Sequence, residues 1–190
     1  MVDVVHLGLH RTGTSYLQRI VFPMFKDLII VSNENLSGDA IGFGFGHDID
    51  RNVILKGIKA EYGNVKIILG VRDKESWLRS LYNKYCDYGF KSYSRWYNEN
   101  FNKSFLDYNK YIFDIKEQFD NVYIYDYSLL KNDFPAFKKR LCIFLGYEVD
   151  FNNVNVNRSV NIFSIYLLRF VNFCREFLAH LINRYKKRGV

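Results

Sequence analysis

The sequence predicts an α/β fold, with a parallel β-sheet flanked by helices. Short apolar runs occur at 4–7, 28–31, 65–71 and 122–125, and segments with helical apolar spacing lie between them. Strands that alternate with helices are joined by crossover connections, which give a parallel sheet that binds ligands at the carboxyl ends of its strands. Because the run 65–71 is the most hydrophobic one, we expect it to be a central strand.

The helices are predicted from the spacing of apolar residues and from the residues that end them. A helix from Thr14 should end where Pro23 removes a backbone N–H, and Gly146 should close a helix over 134–145. Further helices are predicted at 54–62 and 75–86, over most of 93–119, and, as a long C-terminal helix, at 162–185. We expect residues 1–190 to form a single domain, in which 161–190 are an amphipathic helix and a basic tail.

The formal net charge of +7 favours an anionic partner, such as a multiply charged nucleotide, a polyanion or an anionic membrane. Apart from the C-terminal tail, the basic residues are spread along the chain, so we expect no nucleic-acid partner. The three cysteines lie far apart without metal-ligand spacing, which suits a reducing compartment. With no signal peptide before Val4 and no run apolar enough to span a bilayer, a cytoplasmic protein is expected.

A candidate phosphate-binding loop follows the first predicted strand. Residues 8–15, Gly-Leu-His-Arg-Thr-Gly-Thr-Ser, have the glycine spacing of a Walker-type loop and lie between a strand and a helix. Glycines allow the backbone to curl so that successive N–H groups point inward, and the start of the helix adds a partial positive charge. Thr14 stands where a nucleoside-triphosphate enzyme has Lys, which disfavours a Mg²⁺-dependent kinase. The candidate phosphate ligands are His10, Arg11, Thr12, Gly13, Thr14 and Ser15.

The run 11–17, Arg-Thr-Gly-Thr-Ser-Tyr-Leu, resembles the 5′-phosphosulfate loop of sulfotransferases that use 3′-phosphoadenosine-5′-phosphosulfate (PAPS). These enzymes more often have Lys at the position of Arg11. The glycine-rich C-terminal motif of animal cytosolic members is absent, so the resemblance is to the shorter bacterial and carbohydrate-type relatives. It implies a P-loop-like three-layer sandwich, PAPS as sulfuryl donor, 3′-phosphoadenosine-5′-phosphate (PAP) as product, and no required metal.

A second part of the resemblance lies after the predicted central strand. Arg72 follows that strand directly and Ser80 lies eight positions later on the next helix, which is similar to the family's 3′-phosphate site. A guanidinium fork and a hydroxyl would favour a nucleotide that carries a 3′-phosphate. The resemblance further implies Arg158, in the segment 157–159, as a 3′-phosphate contact. The alternative is that Arg72 forms a surface ion pair with Asp73 or Glu75 and that Ser80 is a solvated residue of the helix.

Sulfuryl transfer needs a base for the acceptor proton and positive charge at the leaving phosphate. Arg11 is expected at the leaving phosphate. Glu34 is the first candidate for the base, because it follows the second predicted strand and because carbohydrate sulfotransferases commonly use a Glu from this region. His47 and His10 are its rivals, since small-molecule sulfotransferases more often use His. A loop or helix-cap carboxylate without a catalytic role is the alternative for Glu34.

The resemblance implies an acceptor hydroxyl or amine, which we expect to belong to a carbohydrate or glycolipid. Trp96, Tyr97 and Phe101 either line an acceptor cleft or pack in the core. The C-terminal helix either packs on the domain or lies on an anionic membrane as a peripheral contact. Two other classes stay open: a P-loop kinase for a nucleotide or small molecule, and a basic, non-catalytic module that binds nucleotide or membrane.

Overall fold

The computed structural model describes residues 1–40, 50–87, 89, 91–153, 170, 171 and 174. Within these residues lies a sheet of four parallel strands in the order β2-β1-β3-β4. The strands are β1 (Val4–Leu7), β2 (Ile30–Asn33), β3 (Lys66–Val71) and β4 (Val122–Asp126). The predicted α/β fold with a parallel sheet is therefore confirmed.

The two interior strands are buried on both faces. Every residue of β1 and the central residues of β3 are fully buried, and Val4 pairs with Lys66 while Leu7 pairs with Leu69. An interior parallel strand has no solvent-facing side, which explains the continuous apolar run at 65–71. The prediction that this run forms a central strand is confirmed.

Alternate strand residues feed two hydrophobic cores, one on each side of the sheet. The first core takes Val5 and Ile67 together with side chains from α2 (Arg51–Tyr62), α3 (Lys74–Tyr85), α4 (Tyr93–Glu99) and α5 (Tyr108–Gln118). The second takes Val4 and Ile68 together with side chains from α6 (Tyr127–Asn132) and α7 (Phe134–Leu145). The sheet and its two helical layers make the three-layer arrangement that the resemblance implied.

Most of these helices begin at an aspartate. The side chains of Asp50, Asp73, Asp107, Asp126 and Asp133 each accept a hydrogen bond from a backbone N–H in the first turn of the following helix. Such caps satisfy N–H groups that have no partner within the helix. They fix the points at which the chain leaves the strands and loops, including the point directly after β3.

The helix predicted from Thr14 is less regular than expected. An α-helical turn, α1 (Thr14–Tyr16), widens into a π-helical turn (Leu17–Val21) and ends in a 3₁₀ turn (Phe22–Met24). Pro23 has no N–H to donate, so the α-helical ladder cannot continue past it. The segment 93–119 likewise contains α4, a 3₁₀ turn (Lys103–Leu106) and α5. The short helix α6 was not predicted.

Trp96 and Phe101 belong to the first core and are almost fully buried, with Tyr97 packed against it. Of the two interpretations of these aromatic residues, the structure supports core packing. The predicted helix at 162–185 lies outside the described residues, apart from three helical positions, Phe170, Val171 and Cys174. No helix among the described residues is both long and apolar enough to cross a membrane.

His6 on β1 gives a prediction for the pH dependence of stability. Its ring is fully buried beside Phe22 and Tyr125, and its Nδ1 lies 2.7 Å from Ser32 Oγ. Burial lowers the pKa of His6 from 6.5 to about 3. Below pH 6.5 the histidine is protonated in the unfolded chain but stays neutral in the folded chain. The free energy of unfolding therefore falls as the pH drops from 6.5 towards 3.

Between pH 7 and pH 5 this histidine should lower the free energy of unfolding by about 2 kcal/mol. We expect His6→Gln to remove that contribution, so that the variant loses about 2 kcal/mol less than the wild type over the same interval. Urea unfolding of both proteins at the two pH values measures the difference. Parallel pH dependences for the two proteins would show that His6 ionises normally in the fold.

Candidate active site

The candidate site lies at the carboxyl ends of three neighbouring strands. The loop 8–13 follows β1, Glu34 follows β2, and Arg72 follows β3. The chain leaves β1 to form β2 on one side and later returns to form β3 on the other side. Such a reversal opens a crevice between the two connections, and ligands of open α/β sheets bind there.

The backbone of the loop is curled in the way that anion-binding loops require. Arg11 has φ 66° and Gly13 has φ 94°, both in the left-handed region. A Cβ on Gly13 would lie 2.5 Å from Leu130 Cδ2, so α6 leaves no room for a side chain there. None of the N–H groups of residues 11–15 donates to an acceptor among the described residues. These amides are available to an anion.

Two threonine hydroxyls of the loop form hydrogen bonds to the backbone of the loop itself. Thr12 Oγ1 donates to the Leu9 carbonyl at 2.6 Å, and Thr14 Oγ1 lies 3.3 Å from the same oxygen. Both threonines are buried, whereas Ser15 is half-buried. The structure thus turns the hydroxyls of Thr12 and Thr14 inward, and what they offer a ligand is their backbone N–H.

Two arginines join the loop to the segment after β3. Arg11 Nε donates to Ser80 Oγ at 3.0 Å, and Arg72 Nη1 donates to the Arg11 carbonyl at 3.2 Å. Arg72 Nε donates to Ser76 Oγ at 3.0 Å, and its guanidinium lies 4.8 Å from the centre of the Tyr127 ring. The two predicted anchors therefore contact each other at the edge of the sheet where a ligand crevice is expected.

This cleft carries an excess of positive charge. Neither Arg11 nor Arg72 forms an ion pair within the described residues, so the alternative of an ion pair of Arg72 with Asp73 or Glu75 is not observed. Burial, together with the nearby Arg11, lowers the pKa of Arg72, against the influence of Tyr127 and Asp73. Two cations that face one cleft without a carboxylate partner repel each other, and a bound dianion would relieve that repulsion.

Ser76 was missed as a site residue. It lies four positions before Ser80 on α3 and so on the same face of the helix. Its hydroxyl accepts from Arg72 and donates to the Asp73 carbonyl. The serine spacing in the sequence showed the shared face, but only the structure shows which serine each arginine contacts.

His10 and Glu34, two rivals for the role of base, are neighbours. His10 Nε2 lies 3.8 Å from Glu34 Oε2, and 36% of the Glu34 side chain is exposed. Burial lowers the pKa of His10, although the charges of Glu34 and Asp39 act in the opposite direction. His10 Nδ1 is buried and has no hydrogen-bond partner among the residues that the structure describes. A neutral imidazole therefore lies behind a partly accessible carboxylate.

Two candidates lie outside the described residues, His47 and Arg158. They remain predictions. The described residues contain no cluster of three His, Cys, Asp or Glu side chains suited to a metal ion.

Solved structures place the fold among those of sulfotransferases. A sulfotransferase from Alicyclobacillus acidocaldarius superimposes with a TM-score of 0.55 over 95% of this chain and 96% of that chain, at 12% sequence identity. Mouse sulfotransferase SULT7A1 complexed with PAP aligns with a TM-score of 0.48 over 93% of this chain but only 65% of its own length, at 14% identity. No protein-family model and no curated sequence matches the chain. The chain has a sulfotransferase fold, and at these identities the likeness shows the fold alone.

Gly13 provides a test of the loop geometry. Gly13→Ala should lower the free energy of unfolding by about 2 kcal/mol, because the new methyl group meets Leu130 and the left-handed backbone disfavours a side chain. Gly57→Ala is the matched control, since Gly57 is an exposed residue of α2 where an added Cβ meets nothing. We expect this control to be neutral or to stabilise by up to about 1 kcal/mol. Equal effects in urea unfolding would mean that Gly13 is not constrained.

Proposed function

We propose that the protein is a PAPS-dependent sulfotransferase, which transfers a sulfuryl group to a hydroxyl or amine of an acceptor and releases PAP. The observation that carries the proposal is the joining of the two anchors by Arg11, whose side chain contacts Ser80 and whose carbonyl contacts Arg72. The loop thereby offers curled backbone amides, and the adjoining segment after β3 offers a guanidinium with hydroxyls, at the edge of the sheet where the crevice is expected. A nucleotide with phosphates on both its 5′ and 3′ positions has the matching chemistry.

The proposed 3′-phosphate anchor consists of Arg72, Ser76 and Ser80. In the structure the Arg72 donors are held by neutral oxygens, namely Ser76 Oγ and the Arg11 carbonyl. A phosphate would offer stronger, charge-assisted hydrogen bonds, and a planar fork suits two of its oxygens. Arg158 is proposed as a further contact from the resemblance alone.

The loop argues against a kinase. Thr14 occupies the position of the Walker lysine, and its hydroxyl is turned towards the Leu9 carbonyl. The side chain therefore supplies no cation for the terminal phosphates of a nucleoside triphosphate. We accordingly rank a P-loop kinase, and a module that binds without catalysis, below a sulfotransferase.

The proposed mechanism assigns the base to Glu34 and the leaving-group charge to Arg11 and the loop amides. PAPS supplies a sulfuryl group on a good leaving phosphate. The Glu34 carboxylate takes the proton of the acceptor hydroxyl as the bond from that oxygen to sulfur forms and the bond from sulfur to the phosphate oxygen breaks. Arg11 and the amides stabilise the charge left on the phosphate. A neutral His10 beside Glu34 can donate a hydrogen bond that orients the carboxylate, and His47 stays the rival base.

The class of acceptor and the cellular location are also proposed. The basic chain and the predicted C-terminal helix are consistent with a glycan or glycolipid acceptor, and with a cytoplasmic protein that contacts the inner membrane face peripherally. We expect no metal requirement, since the arginines and amides already provide the positive charge.

Nucleotide choice tests the proposal directly. PAP should raise the melting temperature well above any effect of ATP with Mg²⁺, because binding to the folded state alone stabilises it by mass action. Adenosine 5′-monophosphate should stabilise less than PAP, because it leaves the Arg72 anchor empty. Differential scanning fluorimetry at matched ligand concentrations measures the ranking. A shift from ATP with Mg²⁺ that equals or exceeds that of PAP would rule out the proposed function.

Glu34→Gln tests the base. We expect at least a hundredfold loss of turnover with PAP affinity near that of the wild type, because the amide keeps the shape but cannot take a proton. Glu117→Gln, the same change at an exposed position of α5, is the control and should retain full turnover. Retained turnover in Glu34→Gln would move the base to His47 or His10. Transfer is measured with labelled PAPS and a panel of carbohydrate acceptors.

A further inference from the structure

We propose that Trp77 and Tyr125 are positioning residues that aim the amides of the phosphate loop at the 5′-phosphate end of the nucleotide. This inference rests on the proposed function. Neither residue touches the ligand in this scheme. Each acts through a backbone carbonyl of the loop.

Three consecutive backbone carbonyls of the loop, those of residues 10, 11 and 12, accept hydrogen bonds from side chains of other elements. Trp77 Nε1 donates to the His10 carbonyl at 2.7 Å, and the Tyr125 hydroxyl donates to the Thr12 carbonyl at 3.1 Å. Arg72, already assigned to the nucleotide, donates to the carbonyl between them. The donors come from α3, β4 and the end of β3, so the body of the fold holds the loop at successive peptide groups.

The direction of these carbonyls decides the direction of the amides. In a planar trans peptide the C=O of one residue and the N–H of the next point to opposite sides. Holding the His10 carbonyl towards Trp77 and the Thr12 carbonyl towards Tyr125 therefore turns the N–H groups of Arg11 and Gly13 away from these two side chains. Amides that are already oriented bind an anion without having to rotate first, whereas water molecules must reorient around it. The oriented amides therefore bind the anion more tightly.

Both donors are rigid because they are buried in the two cores. Trp77 is fully buried, with its ring 5.7 Å from that of Tyr108, and Tyr125 is fully buried, with its ring 5.3 Å from that of Phe137. Water cannot replace either donor at such depth, and a buried carbonyl without a partner is costly. The loop peptides consequently have one favourable orientation.

A glycine in the neighbouring strand makes room for the tyrosine. Gly70 of β3 pairs with Tyr125 of β4, and a Cβ at Gly70 would lie 2.5 Å from the tyrosine hydroxyl and 2.9 Å from Thr12 Oγ1. Any side chain at this position would displace either the hydroxyl or the loop. The absence of a side chain at Gly70 is thus required for Tyr125 to reach the loop.

The test compares Tyr125→Phe with Tyr123→Phe. Tyr123 lies two residues earlier on the same strand, and its buried hydroxyl has no hydrogen-bond partner in the described part of the chain, so its removal takes no donor from the loop. Two ligands are titrated by calorimetry, PAP and adenosine 3′-monophosphate. The second ligand lacks the 5′-phosphate that the loop amides would hold, and it therefore reports the other anchor alone.

We expect Tyr125→Phe to weaken PAP binding about three- to tenfold, the range that one hydrogen bond spans. Its affinity for adenosine 3′-monophosphate should stay within about twofold of the wild type, and Tyr123→Phe should bind both ligands like the wild type. Trp77→Phe, which keeps an aromatic ring but removes the indole N–H, should reproduce the selective loss. Urea unfolding without ligand confirms that each variant is folded.

The possible outcomes separate the two proposals. Unchanged PAP affinity in Tyr125→Phe overturns the positioning role, and so does an equal loss for both ligands, which would indicate a merely structural defect. Failure of the wild type to bind PAP overturns the proposed function instead, and the positioning role with it. Should Trp77→Phe not fold, Tyr125→Phe still decides the question.

Discussion

The candidate site depends on the two contacts of Arg11, which tie the phosphate loop to the segment after β3. Its side chain reaches Ser80 and its carbonyl accepts from Arg72, so residues separated by 69 and 61 positions in sequence are held together. The left-handed backbone of Arg11 costs roughly 1–2 kcal/mol in a residue with a Cβ. A hydrogen bond from a charged donor contributes about 1.5–3 kcal/mol, so these two contacts are sufficient to offset that strain. Without them, the loop and Arg72, which follows β3, would be independent features of a common fold.

The strands and several helices could be predicted because their patterns are local. The helix over 134–145 has a cap at Asp133 and a left-handed Gly146 at its end, and its observed bounds agree with those predicted. The second strand is less local, since it extends through Ser32 and Asn33 only because they pair with His6 and Leu7 of β1. Nothing in the apolar run at 28–31 foretells that pairing. The short helix α6 was missed because it follows β4 directly, so that no turn residues in the sequence separate the helix from the strand.

The site was predictable in its composition and less so in its connections. The glycine spacing and Arg72 at a strand end identify two anchors, and the structure brings them together. The sequence paired Arg72 with Ser80, whereas the observed contacts are crossed: Arg72 bonds Ser76, and Arg11 bonds Ser80. Helical spacing puts both serines on one face but cannot choose between them, because the choice depends on side-chain rotamers and on a loop that arrives from a distant part of the chain.

Aromatic residues show most clearly how the core and the site depend on each other. In the sequence Trp77 and Tyr125 have the spacing of core residues, and their rings do pack in the two cores. Their polar ends nevertheless emerge beneath the phosphate loop, at the junction between those cores and the cleft. Because the loop is bonded to close-packed rings, it is as rigid as they are, and its amides point in one well-defined direction. Under the proposed function, changes deep in either core would alter anion binding without touching the ligand, and the effect would fall on the 5′-phosphate that we propose the loop binds.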